Sequence, residues 1–335
     1  MSKKSILIVT PLVPPESGGP SYLSVSLKEA LEKKGEKVDL IAFKEVRNYP
    51  SGIRHFLFLY KVLWRARKVD ALIILDTVSV ALPAVLAGWL LQKKMIVRAG
   101  GDFVWERYIE RTKEKVLLSV FYKERRELNS KERLLIWVQK RIIFPLATTI
   151  VFNTSWFRDI WIEAYHINKN KTAIIEHAHQ KKEEIHVGGK GFLCVWRPTA
   201  FKNIPALEKA YILAKKKNPD ITLEIYKNIS REKLFDHMKY ARALIIPSLT
   251  ETSSVLAREA LEIGLPVLLT DDCGSKTLLD THVTWVNPLD PYDIAEKMCA
   301  LMDEKRYEQE KEKVKNFTYS HTYEQIANEF LNELN

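Results

Sequence analysis

Two glutamates with seven residues between them, Glu251 and Glu259, give the chain its sharpest chemical pattern. On one continuous helix they would sit about 12 Å apart along the axis and about 80° apart around it. Carboxylates so placed cannot share a proton or a metal ion. They can accept from hydroxyls at two ends of an extended ligand. Between them Ser253, Ser254 and Val255 open a helix, and the free amides of a helix N-terminus suit phosphate. Taken alone, the pair also reads as two surface glutamates on an amphipathic helix.

A second loop supplies charge of the opposite sign. In VWRPTAFKN, Arg197 and Lys202 flank a strand-to-helix turn, with Asn203 as a candidate cap and Pro205 in the first helical turn. A planar guanidinium and a mobile ammonium together fit a diphosphate. Cations at a helix start oppose the helix dipole unless an anion lies between them. A third loop, PPESGGP, carries Gly18 and Gly19 ahead of a helix, where bare backbone can approach a ligand closely. It is no dinucleotide fingerprint, since G-x-G-x-x-G is absent. After the strand MIVRA, Gly100-Gly101-Asp102 offers a carboxylate to orient an acceptor hydroxyl or take its proton, or simply to cap a helix. Trp105 reads as a core residue more readily than as a sugar platform. His177, His179 and His186 lack the carboxylate or cysteine partners of a familiar metal set, so no metal is expected.

These loops need a frame that presents strand ends. SILIVTPL, KVDLIAF, ALIIL, MIVRAG, TTIVFN and TAIIEH read as strands separated by helical stretches, among them a helix from about 21 to 34 closed by Gly35 and a long basic one over 110–141. A polar, glycine-containing stretch, HQKKEEIHVGGKG, reads as a linker. The alternation then restarts with FLCVW, ITLEIYK, ALIIPS and PVLLT, and the tail over 320–335 is helical. The fold class is α/β, with two open, mainly parallel, Rossmann-like doubly wound sheets. The expected domains are 1–180, 188–318 and a C-terminal helix, 319–335, packing back on the first domain. Ligands of such sheets bind beyond the carboxyl ends of the strands, so the cleft facing both domains is the expected site.

Composition narrows the classes. The 335 residues are 46% hydrophobic and 28% charged, as in a globular protein. Three scattered cysteines make no disulfide framework and point to a reducing compartment. The apolar run 71–91 is interrupted by Asp76-Thr77, Pro83 and Gly88, so it reads as strand, turn and covered helix rather than a membrane span. Residues 1–180 hold 30 Lys and Arg against 18 Asp and Glu, a net +12, whereas the remainder holds 22 against 24. The basic half suggests an anionic partner. Its aromatic-rich helix IRHFLFLYKVLWRARK suits an anionic membrane surface. No nucleic-acid reading motif is present, and no nucleic acid is expected.

The segment PSLTETSSVLAREALEIGLPVLLT resembles the E-x7-E region of retaining glycosyltransferases of family 4, which have the two-domain GT-B fold. VWRPTAFKN resembles that family's G-R-L…K-G stretch, and the first strand, the Gly18-Gly19 loop and KVDLIA resemble its opening unit. The resemblance implies that Glu259 binds the nucleotide ribose and that Glu251 contacts the donor sugar. It implies that Arg197 and Lys202 grip the diphosphate and stabilise the leaving group, with Gly18 and Gly19 against the phosphates from the opposite domain. It implies transfer from a nucleotide-diphosphate sugar to a hydroxyl of a glycan or lipid-linked acceptor, with retention, no metal and no cofactor. Polysaccharide or glycolipid biosynthesis, in the cytoplasm or at the inner face of the cell membrane, is the implied setting. The sequence departs from the family pattern at Trp196, at Thr252-Ser253-Ser254 in place of Gly-Phe-Gly, at Thr277 in place of Glu, and at Asp102 in place of an acceptor-side His. The alternatives are a nucleotide-sugar epimerase or hydrolase on the same fold, and an inactive, basic, surface-binding protein.

Overall fold

The computed structural model describes residues 3–16, 18–179 and 186–335. Residues 180–185 of the expected linker lie outside the described residues. Elements follow one another as β1 (Ser5–Thr10), α1 (Gly19–Lys33), β2 (Lys37–Ala42), α2 (Ser51–Ala66), β3 (Ala71–Ile74), α3 (Ala81–Leu90), β4 (Lys94–Ala99), α4 (Phe103–Thr112), α5 (Leu118–Phe121), α6 (Ser130–Val138), α7 (Phe144–Leu146), β5 (Thr149–Phe152), α8 (Ser155–Tyr165) and β6 (Thr172–Ile174). The alternation resumes with β7 (Gly191–Trp196), α9 (Ile204–Lys217), β8 (Thr222–Lys227), α10 (Arg231–Lys239), β9 (Ala241–Ile246), α11 (Val255–Glu262), β10 (Val267–Thr270), α12 (Lys276–Leu279), β11 (Thr284–Val286), α13 (Pro291–Ala300), α14 (Glu304–Lys315) and α15 (Tyr323–Glu333).

Both sheets are parallel throughout. The first runs β2-β1-β3-β4-β5-β6 and the second β11-β10-β9-β7-β8. Their inner strands are apolar runs with both faces covered: ALII in β3, TIVF in β5 and VLLT in β10 are buried at every residue. Strand order reverses between β1 and β3 in one sheet and between β7 and β9 in the other. Those switch points are where open α/β sheets take ligands. These are the two Rossmann-like sheets that the strand–helix alternation leads one to expect, and the pair is that of the GT-B fold implied by the resemblance.

Contacts group the chain into two compact units, 1–104 with 127–178 and 321–335, and 105–126 with 179–320. In the first unit the sheet is covered on one side by α1 and α15, where Leu27, Leu31, Ile326 and Phe330 are buried together with Ile6 and Ile8. The expected return of the C-terminal helix to the first sheet is thus present. In the second unit one cluster, with Leu244, Leu261 and Leu269, and another, with Leu207, Ile245 and Met298, cover opposite sides of the sheet.

The long basic helix expected over 110–141 is in fact several short ones. α4 ends at Thr112 and Lys113 takes a left-handed φ of 59°. α6 starts afresh because Asn129 and Glu132 form a reciprocal capping box. It then relaxes into a π-helical turn over Gln139–Ile143, ahead of Pro145. The helix expected over 21–34 is α1. Gly35, at φ 88°, closes it, and the Gly35 and Glu36 amides return to Glu32 and Leu31. Among the described residues no helix is long and apolar enough to cross a membrane.

Candidate active site

The loops after β7 and β9 meet at the switch point of the second sheet. Leu249 N–H donates to Phe201 O at 2.8 Å, which ties the two loops by their backbones. Asn203 takes a left-handed φ of 57° and, contrary to expectation, does not cap α9 with its side chain. Its buried amide instead donates to Pro247 O at 3.1 Å and Pro288 O at 2.7 Å. A small polar residue that tolerates positive φ and offers two donors is what this junction requires.

Lys202 and Glu251 are held across this junction. Lys202 Nζ lies 2.7 Å from Glu251 Oε1, and the two side chains are 20% and 14% exposed. Ser248 Oγ donates to the same carboxylate oxygen at 2.6 Å. The main chain of Glu251 is also pinned. Its N–H donates to Asp272 O at 3.0 Å, and Gly274 N–H donates to Glu251 O at 2.8 Å, in the loop after β10. Glu251 therefore sits before α11 and not on it, so the spacing of one continuous helix does not describe the pair of glutamates. Arg197 is exposed, and among the described residues no carboxylate lies within ion-pair distance of it.

α11 begins at Val255 with Ser254 as its cap, the Ser254 hydroxyl accepting from Ala257 N–H. Val255 N–H donates to Ser253 O at 3.1 Å, so that amide is already engaged. Among the described residues the amides of Ser253 and Ser254 donate to no protein acceptor. Glu259, one turn further on, is nearly buried and forms an ion pair with the exposed Arg231 at the start of α10. Arg258 beside it is fully buried, reaching Ser253 Oγ at 3.3 Å and lying 5.5 Å from the Tyr319 ring centre.

Several residues of this site carry no motif of their own. Thr250 is buried. Its hydroxyl donates to Asp272 Oδ2 and accepts from Leu118 N–H at 2.9 Å. Glu110 accepts from Ala200 N–H at 2.8 Å, and the Trp105 and Phe201 rings lie 5.5 Å apart. Residues 105–126 thus brace the loops after β7 and β9 within the second unit. Lys113 and the Ala200 amide hold the Glu110 carboxyl below its ordinary pKa. Asp271, at the end of β10, is pushed up by burial, against the pull of Lys276. The backbone of Cys273 pairs with that of Glu251, and burial pushes the Cys273 thiol up to about 12.

The first unit holds Gly18, Gly19, Asp102 and His177, and the second holds Trp105, His179 and His186. Gly18 has φ 157°, and a Cβ there would come within 2.9 Å of Leu12 Cδ1, whereas a Cβ at Gly19 would meet nothing within 4 Å. Asp102 is only 1% exposed, and its Oδ2 accepts from the Trp161 indole at 2.7 Å. Neighbouring strand ends carry Asn153, which donates to Gly100 O at 3.1 Å and lies 3.5 Å from His177 Nε2. The other two histidines are engaged elsewhere: His179 lies 3.6 Å from Glu262, and His186 Nε2 lies 2.9 Å from Ala241 O. Trp105 is a core residue, its indole donating to Val116 O at 2.8 Å.

Residues 163–320 match the family model described as glycosyl transferases group 1. No curated protein matches the sequence. Among solved structures, the chain is similar to sucrose-phosphate synthase from Thermosynechococcus elongatus, at 16% identity and a TM-score of 0.70 over 98% of both chains. It is similar to WaaG, a glycosyltransferase involved in lipopolysaccharide biosynthesis, at 13% identity and a TM-score of 0.70 over 98% of this chain and 99% of that one. It is also similar to Alr3699/HepE of Anabaena, solved in complex with UDP and glucose, at 12% identity and a TM-score of 0.67 over 99% of both chains. At these identities the likeness is one of fold.

Proposed function

We propose, for a chain that carries the glycosyl transferases group 1 pattern over 163–320 on a GT-B fold, that it transfers a sugar from a nucleotide-diphosphate sugar to an acceptor hydroxyl with retention of configuration. The observation that carries this reading is the Lys202–Glu251 pair, held at 2.7 Å where the second sheet reverses its strand order. A lysine neutralised by its own carboxylate is ready to exchange that partner for a diphosphate. Glu251 is then released to accept from hydroxyls of the donor sugar.

Arg197 adds an exposed guanidinium on the same loop, and the Ser253 and Ser254 amides at the head of α11 add dipolar donors. Together with Lys202 they stabilise negative charge as it develops on the leaving nucleoside diphosphate. Glu259 accepts from the ribose hydroxyls, a role that requires Arg231 to move aside or to share the carboxylate. Gly18 and Gly19 follow β1 in the first unit, and Gly19 leaves open space beside its backbone. Asp102 acts through Trp161 as a positioning residue, because its carboxylate is buried and accepts from that indole N–H. No protein nucleophile is assigned, and the acceptor attacks on the face from which the diphosphate departs. The UDP and glucose bound by the Anabaena relative make uridine nucleotides the first donors to try. A glycan or lipid-linked hydroxyl is the proposed acceptor, in polysaccharide or glycolipid assembly.

Thermal melting against a panel of nucleotides and nucleotide sugars tests the reading, since a ligand bound by the native state alone raises its stability. At least one nucleoside diphosphate is expected to raise the melting temperature of the wild type and to leave that of Lys202→Ala unmoved. If no nucleotide raises it, the reading fails. Turnover of the donor at full rate without acceptor would convert the assignment to epimerase or hydrolase.

A further inference from the structure

α2 has two apolar faces, and the fold uses one. Phe58, Val62 and Ala66 are buried on the side facing the sheet. On the opposite side Ile53, Phe56, Tyr60 and Trp64 are exposed by 54%, 76%, 68% and 53%. At 100° per residue these four fall within an arc of about 80°, centred roughly opposite Val62. Arg54, Lys61, Arg65 and Lys68 line one flank of this arc, and Arg67, just past the end of α2, falls within it. Lys68 Nζ lies 4.4 Å from the Trp64 ring centre. Residues 44–68 contain seven Lys and Arg and one acidic residue, Glu45, which pairs with Lys61 and Arg65. Of the other acidic groups near this helix, Asp39 lies 3.3 Å from Arg65 and Asp76 acts on His55.

α3 packs on α2 and also exposes an aromatic and an aliphatic side chain, Trp89 and Leu90. Two of the eight tryptophans of the chain, Trp64 and Trp89, are thus exposed on this packed pair of helices.

We propose that the outer face of α2 lies in the headgroup region of an anionic lipid bilayer, with Phe56, Tyr60 and Trp64 at the boundary between headgroups and acyl chains and Arg54, Lys61 and Lys68 against lipid phosphates. Indole and phenol rings partition to the membrane interface, and arginine and lysine beside them select a negative surface. The charge of the first half, +12 over residues 1–180, complements that surface. A second copy of the chain would set these like charges against each other. This inference is independent of the proposed reaction, because none of its residues belongs to the second-unit site.

Sedimentation of the full chain with vesicles of phosphatidylcholine alone, or mixed with phosphatidylglycerol, tests it. The wild type is expected to pellet with the mixed vesicles and to stay in solution with phosphatidylcholine, with a blue shift of tryptophan emission on binding. Phe56→Ser, at a position that supports no core, is expected to weaken partitioning about tenfold. The triple variant Phe56→Ser, Tyr60→Ser, Trp64→Ser should abolish it, with the melting temperature and the nucleotide response kept. Failure of the wild type to bind mixed vesicles would overturn the proposal, as would unchanged binding by Phe56→Ser. A wild-type dimer that Phe56→Ser dissociates would overturn it too and assign the face to self-association.

Discussion

Lys202 and Glu251 share one short ion pair, and each role proposed for them depends on breaking it. Lys202→Ala is expected to lower turnover well over tenfold, because charge on the leaving diphosphate loses its closest cation. Glu259→Ala should cost a similar factor through the ribose contact. Steady-state transfer assays check both, and near-normal rates in both variants would remove the assignment. Glu251→Gln keeps the shape and the Ser248 hydrogen bond, so it isolates the charge. Its expected signature is tighter binding of free nucleoside diphosphate with slower transfer. The residue types were legible before the fold, with Arg197 and Lys202 in the turn after β7 and Glu251 in the loop after β9, but the one-helix spacing of the glutamates was not, since Glu251 precedes α11 and Glu259 lies on it. Their partners were not. Arg231 and Ser248 reach the glutamates through space from a helix start and a strand end, and neither carries a local signal. Cysteine chemistry is also set by surroundings that sequence does not display. Burial pushes Cys194 and Cys273 up to about 12 from 9.0. A thiol pKa raised on folding favours the native state below the unfolded value, and this advantage drains away as pH climbs from 9 towards 12. Stability is therefore expected to fall as pH rises over that window. Base titration monitored by circular dichroism checks this, and Cys273→Ala should show a flatter decline.

Among elements, the strands were the most legible, because apolar runs such as ALII and VLLT fit only strands covered on both faces. β11 is three residues long and offers too little pattern to be read. The stretch 105–126 was the hardest. Its charges and leucines are compatible with one long helix, and what breaks it is tertiary: Val116 O takes the Trp105 indole, and the Leu118 amide ends on Thr250. That bracing makes a prediction at the same scale. Thr250→Val keeps the shape but leaves the Leu118 amide and the Asp272 carboxylate each short of a partner, for a cost of about 1–3 kcal/mol. Hydrogen exchange should then speed up over 113–121 and in the loop after β10, and remain unchanged in the first unit. Because Asp272 O holds the Glu251 amide, transfer should slow as well, with kcat falling more than KM rises. Exchange that stays at the wild-type rate over 113–121 would show that the segment is held by other contacts.

For the molecule as a whole, the last helix ties the end of the chain to the first sheet. α15 is capped by a Thr322–Gln325 box and buries Ile326, Ala327 and Phe330 against α1. Lys4 Nζ donates to Leu334 O at 2.7 Å, and Lys94 Nζ donates to Asn335 O at 2.8 Å. Cations at that end suit the negative pole of the helix. Two units with separate cores unfold as separable transitions more readily than as one. Phe330→Ala removes a fully buried ring from the first unit alone, at a cost of about 3–5 kcal/mol. Calorimetry should therefore show one transition displaced downwards and the other in place. A saturating nucleoside diphosphate should do the reverse, raising the transition that Phe330→Ala leaves untouched. The two perturbations together assign each transition to its unit. If Phe330→Ala and the nucleotide moved the same transition, the donor site would belong with the first sheet, and the assignment built on Lys202 and Glu251 would fall.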